Sequence, residues 1–346
     1  MTLLPAYMQE LDFEDWLEQS EYVERVTDAN ISHFVKLLAS EVDVDSYAIS
    51  PAYYAFTGRR GLWLYHYDGT YLPVCWHPNV DGQILIFPPR GKKNFAAITA
   101  FLNEAPSPPQ GFLLARFKPQ EIGQLKTFYA FVSRVSFEPI EEEVLDWRYP
   151  ARILSTLNTA QMLGHEYMLI RNRVRQTNKY SVDVQPLLIK HVPEIEILAL
   201  RWANRQAEKP DELIDLVTPY KETLRLLKQQ KLGLDGLVFS VDGQIQAVTM
   251  WDVSNPEHRI ANLYMNLCNV TYRGLSEFSI KATAVKLCEA GIPLMNLGGS
   301  ETAGLDHYKN KFAPVLSVNL CSLEPSVVNT QMILKAANEE KELRVA

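Results

Sequence analysis

Cysteine is scarce in this chain: four among 346 residues, at Cys75, Cys268, Cys288 and Cys321. No two have C-x-x-C spacing and none sits beside a histidine in a ligand pattern. A structural zinc site and a disulfide framework are therefore not encoded. Cys268, Cys288 and Cys321 lie in apolar runs, the usual setting of buried reduced thiols, and such usage fits a cytosolic compartment. His66, His77, His165, His191, His258 and His307 are scattered and form no metal pattern. No apolar run approaches the roughly 18 residues that a membrane-spanning helix needs. The first thirty residues are rich in acids (Glu10, Asp12, Glu14, Asp15, Glu18, Glu21, Glu24, Asp28) and lack the basic-then-apolar pattern of a signal peptide. Also missing are a Gly-x-Ser-x-Gly elbow, a Walker loop and a dinucleotide fingerprint. Serine hydrolases, P-loop nucleotidases and dinucleotide-dependent oxidoreductases are thereby set aside.

What is present describes an ordinary globular chain, 47% hydrophobic and 22% charged, long enough for two cores. The net charge of −7 argues against nucleic-acid binding by the whole molecule. That charge is unevenly placed. Up to Pro150 there are 12 basic and 20 acidic residues, and beyond it 22 basic and 21 acidic. The second half is the better host for an anionic ligand.

An internal echo suggests duplication. Gly61–Trp76 reads strand, Asp68-Gly69 turn, strand, and Gly236–Trp251 repeats the plan around Asp242-Gly243. Asp-Gly supplies the positive φ angles of a tight hairpin. Two such hairpins, each ahead of a strand-rich region, predict two similar domains, residues 1–148 and 149–346. In the first half, helices are expected over Phe13–Glu24, Asn30–Glu41, Asn94–Asn103 and Pro119–Thr127. Strands are expected at Gly61–Tyr67, Tyr71–Trp76, Gln83–Phe87, Phe112–Phe117 and Tyr129–Phe137, with an acidic crossover at Glu141–Tyr149. The second half opens with strand Ala151–Leu154 and continues into one long helix, Thr159–Lys179. Helices Pro193–Glu208 and Asp211–Gln230 follow, the latter capped by Asp211, and then the hairpin. Beyond Glu324-Pro325 the polar tail is helical by propensity.

The densest information lies in Ala261–Val318. Strand Ala261–Leu267 feeds the turn Thr271–Ser276, which opens helix Glu277–Ala290. Gly291-Ile292-Pro293 stops that helix, and Leu294–Leu297 is a second buried strand. Gly298-Gly299-Ser300-Glu301 leads into helix Thr302–Phe312, and strand Val315–Leu320 closes the unit. A strand entering a helix N-terminus through a loop makes an anion site, because free N–H groups point outward there. This order resembles the second half of a GCN5-related N-acetyltransferase. The run MNLGGSETAGLDHYKNKFAP, Met295–Pro314, is similar to the C-terminal domain of phosphatidylglycerol lysyltransferase. That family in turn resembles Fem-type and leucyl/phenylalanyl transferases, which take an aminoacyl group from tRNA. The resemblance implies an α/β (α+β) fold of two tandem acyl-CoA N-acyltransferase (GNAT)-like domains, each a mixed central sheet flanked by helices. The N-terminal domain, without a recognisable donor loop, would shape the cleft, and the C-terminal domain would hold the donor. The large membrane domain of the lipid lysyltransferases has no counterpart here, which puts a lipid acceptor in doubt.

The resemblance also assigns residues. On Thr159–Lys179, Arg171, Arg175 and Lys179 recur every four residues and share a helix face, where they would neutralise donor phosphates. A solvated face paired with Glu166 is the other reading. Lys309 and Lys311, beside Tyr308 and Phe312, would hold a phosphate or the acyl-ester carbonyl. Two residues apart, they point in different directions, so one of them at most touches the donor. Gly298–Glu301 would form a wall of the acceptor site, with Ser300 and Glu301 binding the acceptor or an ammonium and Glu301 or Asp306 holding the donor's amino group. The other reading is a turn in which Ser300 caps the last helix, with Thr302 competing. Asp306 is also the expected proton acceptor. Tyr264 and Asn266 alternate on one strand and are expected to share the cleft-facing side. Arg273-Gly274 would open the donor loop. That loop has a single glycine where acetyltransferases carry two, which counts against coenzyme A. The expected activity is aminoacyl transfer from charged tRNA to an amine or hydroxyl of a small molecule, peptide or lipid, with no tightly bound cofactor or metal. Acetyl-coenzyme A-dependent acylation of a small amine, and a non-catalytic binding module that kept the fold, are the alternatives.

Overall fold

The computed structural model describes residues 12–39, 41, 43–92, 95–132, 135–140, 147–207, 218–227, 232–254 and 259–327. In chain order, the first elements are α1 (Phe13–Gln19), β1 (Val23–Arg25), α2 (Ile31–Ala39), α3 (Pro51–Thr57), β2 (Leu62–Tyr67) and β3 (Thr70–Trp76). Next come β4 (Ile84–Ile86), β5 (Arg90–Gly91), α4 (Ala96–Glu104), β6 (Phe112–Phe117), α5 (Pro119–Val132) and β7 (Val135–Ile140). The second half contains β8 (Ala151–Ser155), α6 (Thr156–Gln161), α7 (Met168–Arg175), β9 (Val182–Pro186), α8 (Val192–Ala207) and α9 (Thr218–Leu227). It continues with β10 (Asp235–Val241), β11 (Gln244–Ser254), β12 (Ile260–Cys268), α10 (Leu275–Glu289) and β13 (Leu294–Asn296). Last are α11 (Ala303–Asn310), β14 (Leu316–Val318) and β15 (Cys321–Val327).

These elements form two mixed sheets of the same plan. One runs β1-β2-β3-β4-β6-β15-β7, with β5 paired to β3, and the other β9-β10-β11-β12-β13-β8-β14. In each, the fourth and fifth strands are parallel, β4 with β6 and β12 with β13. All other pairs along both paths are antiparallel. A helix, α4 or α10, makes each parallel crossover, as the geometry of parallel pairing demands. Both Asp-Gly turns have left-handed angles, φ 43° and 71° at Asp68-Gly69 and 52° and 77° at Asp242-Gly243. The duplication expected from the hairpins is thus present in the strand order, and the two tandem GNAT-like α/β domains are the observed architecture.

The division of the chain is less simple than a cut after residue 148. One compact unit holds the described residues of 1–25, 60–142 and 320–346, and the other those of 26–59 and 143–319. The segment Val26–Arg59 therefore belongs with the second unit, and β15 lies between β6 and β7 in the sheet of the first. In the first unit Phe13, Leu17, Ile98 and Phe101 pack on one core with Leu72, Val74 and Ile84. In the second, α6, α7 and α10 cover one sheet face through Met162, Ile170, Ile280 and Leu287. On the opposite face α8 and α9 bury Ile195, Leu198 and Leu224 against Val248, Met265 and Leu267.

Three further expectations are corrected. The long helix over Thr159–Lys179 is broken after Gln161, where Met162 turns left-handed at φ 50°. Its last turn, Gln176–Lys179, is a 3-10 helix. Thr302, not Ser300, caps α11 by accepting from the Leu305 amide at 3.2 Å. β15 is a strand that the sequence reading does not anticipate, running from Cys321 to the first two residues of the tail expected beyond Glu324-Pro325. The expected cap at Asp211, the crossover from Glu141 to Asp146 and the tail beyond Val327 fall outside the described residues.

Candidate functional site

The second unit concentrates its polar groups where β12 leaves β13. These parallel strands pair through Ile260↔Leu294, Ala261↔Met295 and Asn262↔Asn296. β13 ends there, whereas β12 runs on to Cys268. Beyond the last pair the sheet opens into a gap with free backbone groups on its edges, which must find partners. The pairing of β12 with β11 shifts at the same level. Met250 faces Met265 but Trp251 faces Leu263, so Tyr264 is an extra residue, a β-bulge. The bulge turns the strand over. Leu263 packs with the α10 face, while Met265 and Leu267 pack with the α8 face. Tyr264 and Asn266 therefore do not share a side, contrary to the alternation expected from their spacing.

A segment of the first half closes the gap. Ser46–Ile49 is a 3-10 turn, followed by Ser50 as the cap of α3 with Pro51 in its first turn. The Tyr47 hydroxyl donates to the Leu263 carbonyl at 2.6 Å and lies 3.4 Å from the Asn296 carbonyl. It thus takes the place of the next rung between β12 and β13. Its ring stands edge-on to Tyr264, centroids 5.5 Å apart, and a Cβ at Gly298 would lie only 3.5 Å from it.

Behind Tyr47 lies a buried hydrogen-bond network. Ser46 Oγ donates to Asn262 Oδ1 at 2.5 Å and accepts from Asn296 Nδ2 at 2.9 Å. Asn262 Nδ2 donates to Asp252 Oδ1 at 2.8 Å. Ser50 Oγ donates to Asp252 Oδ2 at 2.5 Å. The Tyr264 hydroxyl lies 2.5 Å from Ser50 Oγ and 3.2 Å from Asp252 Oδ2. Ser50 has one proton, committed to the carboxylate, so Tyr264 donates to Ser50 and shares its proton with Asp252. Asp252 is 3% exposed. Burial pushes its carboxyl up to about 6, against the pull of the hydrogen bonds from Ser50, Asn262 and Tyr264. Burial likewise holds the Tyr264 phenol well above its ordinary value, with Asp252 adding to the effect. The cluster is a Tyr264–Ser50–Asp252 relay, with Tyr264, a half-buried residue, at its outer end.

Gly298-Gly299-Ser300 borders the same gap. Lys309 on α11 donates to the Gly298 carbonyl at 3.4 Å and to the Gly299 carbonyl. Ser300 is fully buried beside them, bridged to Tyr149, and its Oγ has no hydrogen-bond partner among the described residues. Glu301 is half-buried, close enough to Tyr220 for its charge to add to the burial that raises that phenol's pKa. Lys311 is exposed. Asp306 is elsewhere engaged. It receives Arg152 Nε and Nη2 at 2.8 and 3.0 Å and Asn310 Nδ2 at 3.1 Å. That bidentate pair occupies both carboxylate oxygens, an arrangement suited to fixing α11 on β8 rather than to accepting a substrate proton.

The donor loop is built separately. Gly274 precedes α10 at φ 87°, and a Cβ there would fall 2.1 Å from the Arg173 carbonyl. The backbone of α7 therefore lies against this loop, and only glycine permits the approach. Asn266 accepts from Ser279 Oγ at 2.8 Å and donates to Ser276 Oγ at 3.4 Å. Ser276 in turn meets the Tyr308 hydroxyl at 2.6 Å. Asn266 is thus a tie between β12, α10 and α11. Arg273, Arg173, Arg175 and Lys179 are exposed. Arg171 is spent on its own chain, donating to the Met162 carbonyl and to the Gly164 carbonyl at 2.6 Å.

Of the residues singled out from sequence, Tyr264, Ser300 and Lys309 border the gap, and Asn266, Arg273 and Gly274 meet at the donor loop. Arg171 and Asp306 are held in other contacts. Ser46, Tyr47, Ser50, Asp252, Asn262 and Asn296 escape sequence reasoning. Ser50-Pro51, a cap followed by proline, is the one local signal for that segment. Among the described residues no helix is long and apolar enough to cross a membrane, and no metal-ligand cluster is present.

No protein-family model matches the chain, and no curated protein matches it in sequence. Solved structures do. A conserved protein of unknown function from Bacteroides thetaiotaomicron is 16% identical with a TM-score of 0.68, covering 88% of this chain and 99% of that one. The C-terminal domain assigned to a lysylphosphatidylglycerol synthetase of Agrobacterium fabrum is 12% identical with a TM-score of 0.56, covering 92% and 98%. FemX is 10% identical with a TM-score of 0.57, covering 90% and 98%. At such identities the likeness is one of fold: the chain shares the two-domain architecture of the lysylphosphatidylglycerol synthetase C-terminal domain and of FemX.

Proposed function

We propose that this chain is an aminoacyltransferase that moves an aminoacyl group from charged tRNA to an amine or hydroxyl acceptor. The observation that carries the reading is the closure of the β12/β13 gap by Tyr47. In acetyltransferase-like folds the peptide-like arm of the coenzyme meets the backbone of this strand. Here the Leu263 carbonyl is already taken, and the single-glycine loop is covered by α7. A donor without that arm and without a pyrophosphate is favoured. The shared fold with the lysylphosphatidylglycerol synthetase domain supports the same direction.

In this reading the acceptor attacks the ester carbonyl and the ribose oxygen leaves. Lys309, seated on the Gly298 and Gly299 carbonyls, supplies positive charge for the developing oxyanion. Tyr264, relayed through Ser50 to Asp252, handles the acceptor's proton. Exposed Arg173, Arg175, Lys179 and Arg273 offer charge to the tRNA phosphates, with the steep salt dependence such contacts bring. The acceptor amine or hydroxyl would enter beside Ser300 and Glu301.

The closed gap also favours a second reading, a non-catalytic module that retained the fold. Thermal shift separates the readings. A stable charged-tRNA analogue at 100 times its Kd should raise stability by about 2.7 kcal/mol, with uncharged tRNA and acetyl-coenzyme A giving less. Stabilisation by acetyl-coenzyme A alone would overturn the proposal. In single-turnover transfer, Lys309→Met is expected to slow the chemical step roughly 10²-fold or more. Transfer indistinguishable from the uncatalysed rate in the unaltered protein would leave the binding module.

A further inference from the structure

A hollow of about 210 Å³ lies on the α8 side of the second unit, apart from the Tyr47 gap. Leu198, Trp202, Cys268 and Val270 give it an apolar lining, and Arg201 and Arg205 stand on its rim. Leu198 and Cys268 are buried and form the floor, whereas Val270 is exposed and forms a lip. The Trp202 ring packs edge-on to Tyr220 at 5.4 Å and against the core of the α8 face. Arg201 and Arg205 are four residues apart and project from one side of α8. Arg205 Nη1 donates to Thr271 Oγ1 at 2.8 Å and to Asn269 Oδ1 at 3.2 Å. Both partners are neutral, so the guanidinium is oriented without being neutralised. Neither arginine has a carboxylate partner among the described residues.

A floor of apolar surface with two guanidinium groups at its edge, Arg205 oriented by neutral partners and Arg201 unengaged among the described residues, calls for a ligand of matching halves. The volume is below the several hundred Å³ of a coenzyme-sized pocket, so the apolar part is a single planar ring system. Two arginines match a doubly charged oxyanion, which guanidinium binds in bidentate fashion, and tryptophan and arginine are the side chains on which bases stack. We propose that this hollow binds a nucleoside phosphate, its base on the Trp202 wall and its phosphate on Arg201 and Arg205. The site stands on these contacts alone and does not depend on the acyl-transfer reading.

Isothermal titration of the full chain with adenosine 5′-monophosphate, adenosine, inorganic phosphate and a single-stranded RNA hexanucleotide tests it. The monophosphate should bind at least tenfold more tightly than adenosine or phosphate. Arg201→Gln and Arg205→Gln should each weaken it tenfold or more. Arg201 is exposed and makes no hydrogen bond or ion pair among the described residues, so Arg201→Gln is expected to leave the fold intact and keeps the test valid even if Arg205→Gln loosens the loop. Tighter, salt-sensitive binding of the hexanucleotide identifies an RNA end as the source, and equal or weaker binding a free nucleotide. Absence of binding by both at millimolar concentration, phosphate binding as tightly as the nucleotide, or affinity unchanged in Arg201→Gln would each overturn the proposal.

Discussion

Tyr47 shows how much one hydroxyl can decide. Its proton satisfies a carbonyl that the diverging strands would otherwise leave bare, and a buried acceptor without a donor costs about 1–3 kcal/mol. Tyr47→Phe is therefore expected to destabilise the fold by that amount in urea denaturation, with the ring still packed. A change below a few tenths of a kcal/mol would mean that water serves the carbonyl instead. Asp252 makes a pH prediction. Its folded pKa of about 6 lies above the unfolded value near 3.8. The folded protein therefore holds this proton more tightly, and stability falls as pH rises from about 4 to 6. The full effect is at most about 3 kcal/mol. Asp252→Asn should flatten that part of the stability profile relative to the unaltered protein, and parallel profiles would show the carboxyl to be unperturbed. None of this was legible from sequence, because Ser46, Tyr47 and Asp252 acquire meaning from residues about two hundred positions away. Lys309 and Ser300 were legible because the Gly-Gly turn and the following helix place them locally.

At the scale of elements, local chemistry fixed most boundaries and long-range packing fixed the exceptions. β6 occupies its expected Phe112–Phe117, since a short, nearly continuous apolar run between turn signals leaves little choice. The long basic helix fails because Met162 turns left-handed and Arg171 clamps the resulting loop onto α7. No periodicity encodes that clamp. The β-bulge at Tyr264 is equally silent, because an inserted residue leaves the apolar pattern of the strand almost intact. Gly274 and Gly243 give a matched comparison. Both have positive φ, but an added Cβ meets the Arg173 carbonyl at 2.1 Å in one and open space in the other. Gly243→Ala should cost about 1 kcal/mol, the strain alone. Gly274→Ala should cost several times more and displace α7, visible as lost amide-exchange protection there. Asp306→Ala removes one side of an ion pair whose side chains are 15% and 13% exposed. A loss of about 2–4 kcal/mol is expected. Unchanged stability with abolished transfer would return the carboxylate to the chemistry.

At the scale of the molecule, the duplication was legible in two Asp-Gly hairpins, but the division of the chain was not. Hairpins report neighbours in sequence, whereas β8 and β15 take equivalent places, next to the last strand of each sheet, through connections that local patterns do not record. A fragment covering residues 149–346 would lack Ser46, Tyr47 and Ser50, and with them the closure of the β12/β13 gap. Such a fragment is expected to show poor dispersion in amide NMR spectra and loss of cooperative unfolding. A cooperative, well-dispersed fragment would show the 26–59 segment to be dispensable.

The position of β15 also sets a timetable for biosynthesis. β6 is complete once Phe117 leaves the ribosome, but the strand that lies beside it spans Cys321–Val327. At roughly 5–20 residues per second, that edge waits on the order of ten to forty seconds, open to other nascent chains, for a partner not yet translated.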